Sequence, residues 1–281
     1  VPIEIKNLSL SYNNKDFVLK NINLNIDDGQ IVGIVGKTGC GKSTLVQAIA
    51  GLVNANSGEI LIDNDNILDK KYNKMALRKK LGIVFQYPEM QLFEQSVAKD
   101  IAFSLKNSGI SKSEKENRVK WAMELLHLDY DKFKDKSPLA LSGGEKRKVA
   151  IAGVIVIKPK YLILDEPIAG LDSTSRDDFM KLLFDLKSQG TTVIVVSHNA
   201  DFLSQCADEI IVMNDGSVVM QSSANDVFSN VELLNSIPLG TSTVKEICSM
   251  LEVRGISLSK SVLKYDDLAD ELVSVFCKNY E

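Results

Sequence analysis

The segment Gly36-Lys37-Thr38-Gly39-Cys40-Gly41-Lys42-Ser43 constrains this chain more tightly than any other. It satisfies the pattern G-x-x-x-x-G-K-[ST], and its flanks supply the context that pattern needs. Gln30 to Val35 is a compact apolar run of strand type, and Ser43 to Gly51 reads as a helix. A strand feeding a glycine-rich turn and then a helix points backbone N–H groups at phosphate oxygens, with the positive helix end behind them. Lys42 is then placed to reach the β- and γ-phosphates of a nucleotide, and the Ser43 hydroxyl to meet Mg²⁺. Residues Gly36 through Thr44 are the expected phosphate contacts.

A chain built around such a turn is an α/β protein with a parallel sheet, and further β-type runs agree. They are Leu81 to Phe85, Tyr161 to Leu164, Thr192 to Val196 and Glu209 to Met213. Ile3, Ile5, Leu8 and Leu10 predict short strands at the start. Asn214-Asp215-Gly216 is a hairpin signal leading into Ser217 to Gln221. Between about residues 88 and 157 the pattern turns helical. Lys112 to Leu128 is charged and amphipathic there and carries the only tryptophan, Trp121. From about Asn225 short helices follow. Val244, Ile247, Cys248 and Leu251 fall on one face of Thr243–Val253, and Leu268, Leu272, Val275 and Phe276 on one face of Asp266–Phe276. The expected organisation is a nucleotide domain over 1–225 with a helical insertion at 88–157, and an extension over 226–281 too small for a robust core of its own.

Composition enters as a filter. The formal net charge of −4 argues against general nucleic-acid binding, which goes with a basic excess. Cys40, Cys206, Cys248 and Cys277 show no metal-ligand spacing, and no secretory pattern opens the sequence, so reduced thiols are expected. The longest apolar stretches, such as Val149 to Ile157, fall well short of the ~20 residues of a spanning helix. Work at a membrane would be peripheral, on its cytoplasmic face. Cys40, beside a helix N-terminus, is expected to be the most reactive thiol.

Tyr161-Leu162-Ile163-Leu164-Asp165-Glu166 is a buried-type strand that delivers two carboxylates at its C-terminal end, where α/β sheets bind ligands. Asp165 would hold the Mg²⁺ shell, and Glu166 would polarise the attacking water. Upstream, Leu141-Ser142-Gly143-Gly144-Glu145 opens a helical run from Lys146 to Ile157. It forms a second helix N-terminus suited to an anion. This segment resembles the signature motif of ABC ATPases.

In that family, Ser142, Gly143, Gly144 and Glu145 would face the phosphate loop of an opposite subunit, so that ATP joins two chains. The other motifs follow in the family's order. Tyr12 resembles the aromatic that stacks on adenine, and Gln86 the Q-loop residue that links Mg²⁺ and water to a membrane partner. Asp172, in Ala169-Gly170-Leu171-Asp172, resembles the D-loop residue, and His198 the switch histidine. His127 reads as structural. Ile168 stands where threonine is usual, Glu145 where glutamine is, and neither change removes a catalytic group. The resemblance implies a P-loop NTPase core with an N-terminal β subdomain, an inserted helical subdomain and a C-terminal helical extension.

A finer likeness runs from Phe85 to Phe93, which is similar to the Q-loop region of energy-coupling factor transporter ATPases, importers of vitamins and transition-metal ions. The tail, with Val227-Phe228 and then Pro238 before a helix, is similar too. That resemblance implies a second ATPase subunit, the same or related, an integral membrane subunit with basic coupling helices, a substrate-capturing membrane protein, and no nucleic acid. Glu89, Glu94 or Asp100 would meet those arginines. Another binding-protein-dependent importer, and a non-transport ABC ATPase of DNA repair or translation, remain the alternatives at this level.

Overall fold

The structure, a computed structural model, describes residues 2–13, 16–237, 240–259 and 261–277. Strands β1 (Ile3–Ser11), β2 (Phe17–Ile26), β4 (Ser57–Ile62) and β5 (Asp65–Asn66) form an antiparallel sheet in the order β2-β1-β4-β5. Strands β3 (Ile31–Gly36), β6 (Leu81–Val84), β7 (Tyr161–Asp165), β8 (Thr192–Val196), β9 (Glu209–Asn214) and β10 (Ser217–Ser223) form a second sheet, ordered β10-β9-β3-β8-β7-β6. In this sheet β6, β7, β8, β3 and β9 run parallel, and β10 closes an antiparallel hairpin with β9. Asp215 (φ 45°) and Gly216 (φ 84°) supply the two positive-φ residues of its turn.

The apolar runs of the parallel sheet are continuous because both faces are buried. Ile31 and Val35 of β3, Leu162 and Leu164 of β7, and Ile210 and Val212 of β9 belong to one core. Their alternates Val32, Ile34, Tyr161, Ile163, Ile211 and Met213 belong to the other. The second core is closed by the antiparallel sheet and by helix α1 (Lys42–Ile49). Each of these fully buried aliphatic side chains is worth about 1.5–3 kcal/mol over exposure. Alternation between two cores therefore pins the register of every central strand.

Helix α2 (Lys74–Lys80) leads into β6, and the insertion follows it: α3 (Val97–Phe103), α4 (Lys112–Leu125), α5 (Tyr130–Phe133) and α6 (Gly143–Ile155). Val97, Ile101, Met123, Val149 and Ile155 join the first core. His127 has φ 55° just past α4, where left-handed backbone ends a helix. That placement supports its structural reading. Helices α7 (Ser173–Ser188) and α8 (Ala200–Cys206) pack on the same face of the sheet through Phe179, Leu183, Phe202 and Leu203.

The chain continues as α9 (Ala224–Ser229), α10 (Val231–Ser236), α11 (Thr243–Val253) and α12 (Tyr265–Cys277). Val227 and Phe228 lie in the first core, so the expected boundary at residue 225 cuts through an integral helix. The extension has instead a small cluster of its own, Val244, Val262 and Leu268, backed by Ile247, Cys248, Leu258 and Leu272. It is tied to α8: Thr243 donates from N and Oγ1 to Asp201 (2.6 and 2.7 Å), and Gln205 Nε2 donates to the Leu263 carbonyl (3.2 Å). Pro238 lies outside the described residues.

Candidate functional site

The phosphate loop leaves β3 between two close neighbours. A Cβ on Gly36 (φ 154°) would lie 2.3 Å from the Met213 carbonyl oxygen, and one on Gly41 (φ 104°) 2.9 Å from that of Val18. Both positions therefore need glycine, and the turn they permit delivers Lys42 and Ser43 into the first turn of α1. Lys42 Nζ donates to the carbonyls of Gly36 (2.7 Å) and Lys37 (2.9 Å), which holds the ammonium across the mouth of the loop.

β7 ends beside the loop and brings the two carboxylates. Burial pushes the Asp165 carboxyl above its usual range, opposed by a hydrogen bond with Ser43 and raised further by neighbouring Glu166. Glu166 adopts a left-handed backbone (φ 49°) and its N–H donates to the Val196 carbonyl (2.9 Å). Its carboxylate meets His198 Nδ1 at 3.0 Å, and Ser197 Oγ donates to it at 3.5 Å. Thr38, Gly39, Gly41, Lys42, Ser43, Thr44, Gln86, Asp165, Glu166 and His198 all line one cleft of about 360 Å³. Segments far apart in sequence thus meet because β3, β6, β7 and β8 end on the same edge of a parallel sheet.

Tyr12 stands just past β1, 64% exposed, with its hydroxyl 3.3 Å from Thr44 Oγ1. It sits beside the loop with an open ring face. The signature residues lie elsewhere. Ser142 caps α6 in a capping box: its N–H and Oγ each donate to Glu145 Oε2 (2.8 Å), and its Oγ accepts the Glu145 N–H (3.3 Å). Those two bonds draw the Glu145 carboxyl below its usual range. Glutamate does here what glutamine does in the box, so that departure costs the helix nothing. Gly143 and Gly144 face open space. Asp172 caps α7 by accepting the Ser175 N–H (2.7 Å) and does not line the cleft.

Two expectations fail on burial. Cys40 is only 5% exposed, with its Sγ against Gly36 and its side chain in the second core, so reagent access outweighs any favourable potential. Asp100 is buried and accepts the N–H groups of Phe93 (2.9 Å) and Glu94 (2.8 Å), which leaves it unavailable to a partner's arginine. Glu89 is half-buried, with Oε2 enclosed. Of the three acids Glu94 keeps the freer position. The groove beside β6, about 600 Å³, is rimmed instead by Arg78, Lys79, Lys106 and Arg118.

Two residues escaped the sequence reading. Ser197, fully buried, touches Glu166 and accepts the Asn199 N–H (3.1 Å). Arg147, one turn into α6, donates to the carbonyls of Ala169 (2.8 Å), Pro167 and Glu166 (3.4 Å). Its only sequence signal is a cation inside a half-buried helix.

Comparison with known proteins gives a consistent picture. The family described as ABC transporter matches residues 19–169. The energy-coupling factor transporter ATP-binding protein EcfA2 of Clostridium perfringens is 44% identical over 282 aligned residues, covering 99% of each chain. Its namesake in Clostridioides difficile is 45% identical over 279, covering 97% of each. Among solved structures, cbiO1 from Clostridium perfringens, described as part of the ABC transporter complex cbiONQ, aligns with TM-score 0.76 at 38% identity, over 89% of this chain and 98% of its own. The cassette MJ0796, solved as a dimer in a post-hydrolysis state with ADP and Pi, gives 0.70 at 30% identity, over 79% of this chain and 98% of its own. With phosphate loop, paired carboxylates and histidine converging on one cleft, the chain belongs to the ABC transporter family, among its energy-coupling factor ATP-binding subunits.

Proposed function

We propose that this cleft binds Mg-ATP and hydrolyses it between two ATPase subunits, and that the cycle drives uptake of a vitamin or transition-metal ion through separate membrane proteins. One observation carries the reading: the cleft gathers the phosphate loop, Gln86, Asp165, Glu166 and His198, while Ser142 to Gly144 face solvent elsewhere. A helix N-terminus built for phosphate, yet away from its own chain's phosphates, fits a site completed by a second subunit.

The residues also fit the metal. Ser43, Asp165 and Gln86 offer hard oxygen donors, and the half-buried Asp165 carboxyl gains from a nearby cation. Among the described residues no group of three His, Cys, Asp or Glu side chains forms a metal cage, as suits an ion shared with nucleotide phosphates. Bound there, Mg²⁺ would neutralise phosphate charge. Lys42 and the α1 amides hold the β- and γ-phosphates, and Tyr12 supports the adenine. Glu166, aimed by Ser197 and His198, takes the proton of the attacking water, while His198 and Lys42 stabilise the developing charge.

Among the described residues no helix is long and apolar enough to cross a membrane. We place the subunit at the cytoplasmic face, held by an integral membrane subunit that docks on the exposed Tyr87, Met90 and Phe93 beside the Q-loop. Glu166→Gln tests the chemistry. ATP binding should persist, turnover should fall by ~10² or more, and an ATP-held dimer should accumulate on sedimentation. Hydrolysis at the wild-type rate in this variant would place the base elsewhere.

A further inference from the structure

Arg147 connects two parts of the molecule, the signature helix and the segment after β7. It lies on α6, one turn after the Ser142 cap, and its guanidinium reaches across to the segment that follows β7. Nη1 donates to the Ala169 carbonyl at 2.8 Å; Nη2 donates to the Pro167 carbonyl and, at 3.4 Å, to that of Glu166. A planar guanidinium donates from several N–H groups in a fixed fork, so three carbonyls gripped together fix the direction of the chain between them. Burial disfavours the charge, and the nearby Glu89 carboxylate supports it. Glu89 is in the turn right after Gln86, and its Oε2 is enclosed without a hydrogen-bond partner.

The gripped segment is unusual in its backbone. Glu166 has φ 49°, a left-handed conformation that a side chain with a Cβ rarely adopts without outside support. Its N–H is held by the Val196 carbonyl, and its own carbonyl receives Arg147. The peptide units on both sides of Glu166 are therefore fixed from outside, and the carboxylate direction follows from them.

We infer that Arg147 is a positioning residue for hydrolysis: by holding the carbonyls of Glu166, Pro167 and Ala169 from the signature helix, it fixes the left-handed turn that aims the Glu166 carboxylate into the cleft. It acts through Glu166 and does not line the cleft. This inference rests on the proposed role of Glu166.

The test is a double-mutant cycle in the assembled ATPase carrying the full chain. Arg147→Met keeps the apolar stem and removes the donors; kcat should fall about tenfold or more while KM for ATP stays within about threefold. In a Glu166→Gln background the same substitution should change the single-turnover rate by less than about twofold, because the group being aimed is gone. A full multiplicative loss in that background, an unchanged kcat, or a loss confined to KM would overturn the inference. Should Arg147→Met fail to fold, Arg147→Lys keeps charge and length but cannot fork; it should lose kcat severalfold with the same non-additivity, and wild-type kcat in it would also overturn the inference. If Glu166→Gln alone leaves hydrolysis intact, it is the assignment of the base that fails, which the single variant reveals before the cycle is closed.

Discussion

Single residues show how burial outweighs pattern. Cys40 sits in an electropositive turn, yet its thiol is packed inside, and Cys206 is buried with its thiol pushed up to about 12. Cys248 is half-exposed, although burial raises its thiol as well. Maleimide labelling of the folded chain should therefore modify Cys248 well before Cys40 or Cys206, read by peptide mapping; Cys40 labelling first would contradict the packing. Asp63 offers a second case. It accepts from Lys80 Nζ (2.7 Å), Lys160 Nζ (2.6 Å) and the Tyr161 hydroxyl (2.6 Å), joining the β4–β5 turn to the base of the parallel sheet. Burial raises its carboxyl, but these three donors outweigh that and hold it far below the ordinary 3.8. A depressed folded value gives stability that is complete above the unfolded pKa and lost as pH falls below it. Asp63→Asn should cost about 2 kcal/mol near neutrality. That gap should stay constant down to about pH 5 and close progressively as the pH falls below the ordinary carboxylate value toward the depressed folded one. Urea unfolding at several pH values checks this, and a gap independent of pH would sink it.

At the scale of elements, the N-terminus of α6 matters most. Its capping box occupies the Ser142 hydroxyl within the chain, so a phosphate arriving from another subunit must share or displace Glu145. Ser142→Arg puts bulk and charge where that phosphate would sit, while the cleft of its own chain stays intact. The isolated variant should bind ATP as wild type does but fail to dimerise with ATP in sedimentation; normal ATP-driven dimerisation would rule out action across the interface. The starts of the later strands were the most legible: Leu81, Tyr161, Thr192, Glu209 and Ser217 open their strands where read. Thr192–Val196 and Thr243–Val253 match their sequence readings residue for residue. β2 and β4 carried too much polar alternation to stand out as single runs, and only pairing on β1 explains them.

For the whole molecule, the division between body and extension is decided by packing. A chain ending at Asn225 would lose Val227 and Phe228 from the first core, about 1.5–3 kcal/mol each. One ending at Ile237 keeps them; besides the small cluster around Val244, Val262 and Leu268 it loses Leu263 from the first core and the bonds to Asp201 and Gln205. The longer truncate should melt below the full chain, and the shorter one further below it. Removal of the extension should also weaken association of nucleotide-free subunits, because α11 and α12 leave Met250, Val253, Val273 and Phe276 exposed. Equal melting of the two truncates, or unchanged sedimentation without nucleotide, would refute the respective halves of this picture.

The sequence by itself determined the motifs: the phosphate loop between strand and helix, the carboxylate pair ending an apolar strand, Gln86 and His198 each just past a strand, and the Ser-Gly-Gly that opens a helix. These were legible because each is a local motif whose residue types answer a local demand, a tight turn or a helix end. Tertiary structure alone decided the convergence of four strand ends on one cleft, the inward turn of Cys40 and Asp100, the inclusion of α9 in the core, and the grip of Arg147 on the chain after Glu166. Those outcomes depend on which surfaces lose water when distant segments pack. Burial is a property of the assembled neighbours and leaves no fixed spacing in the sequence.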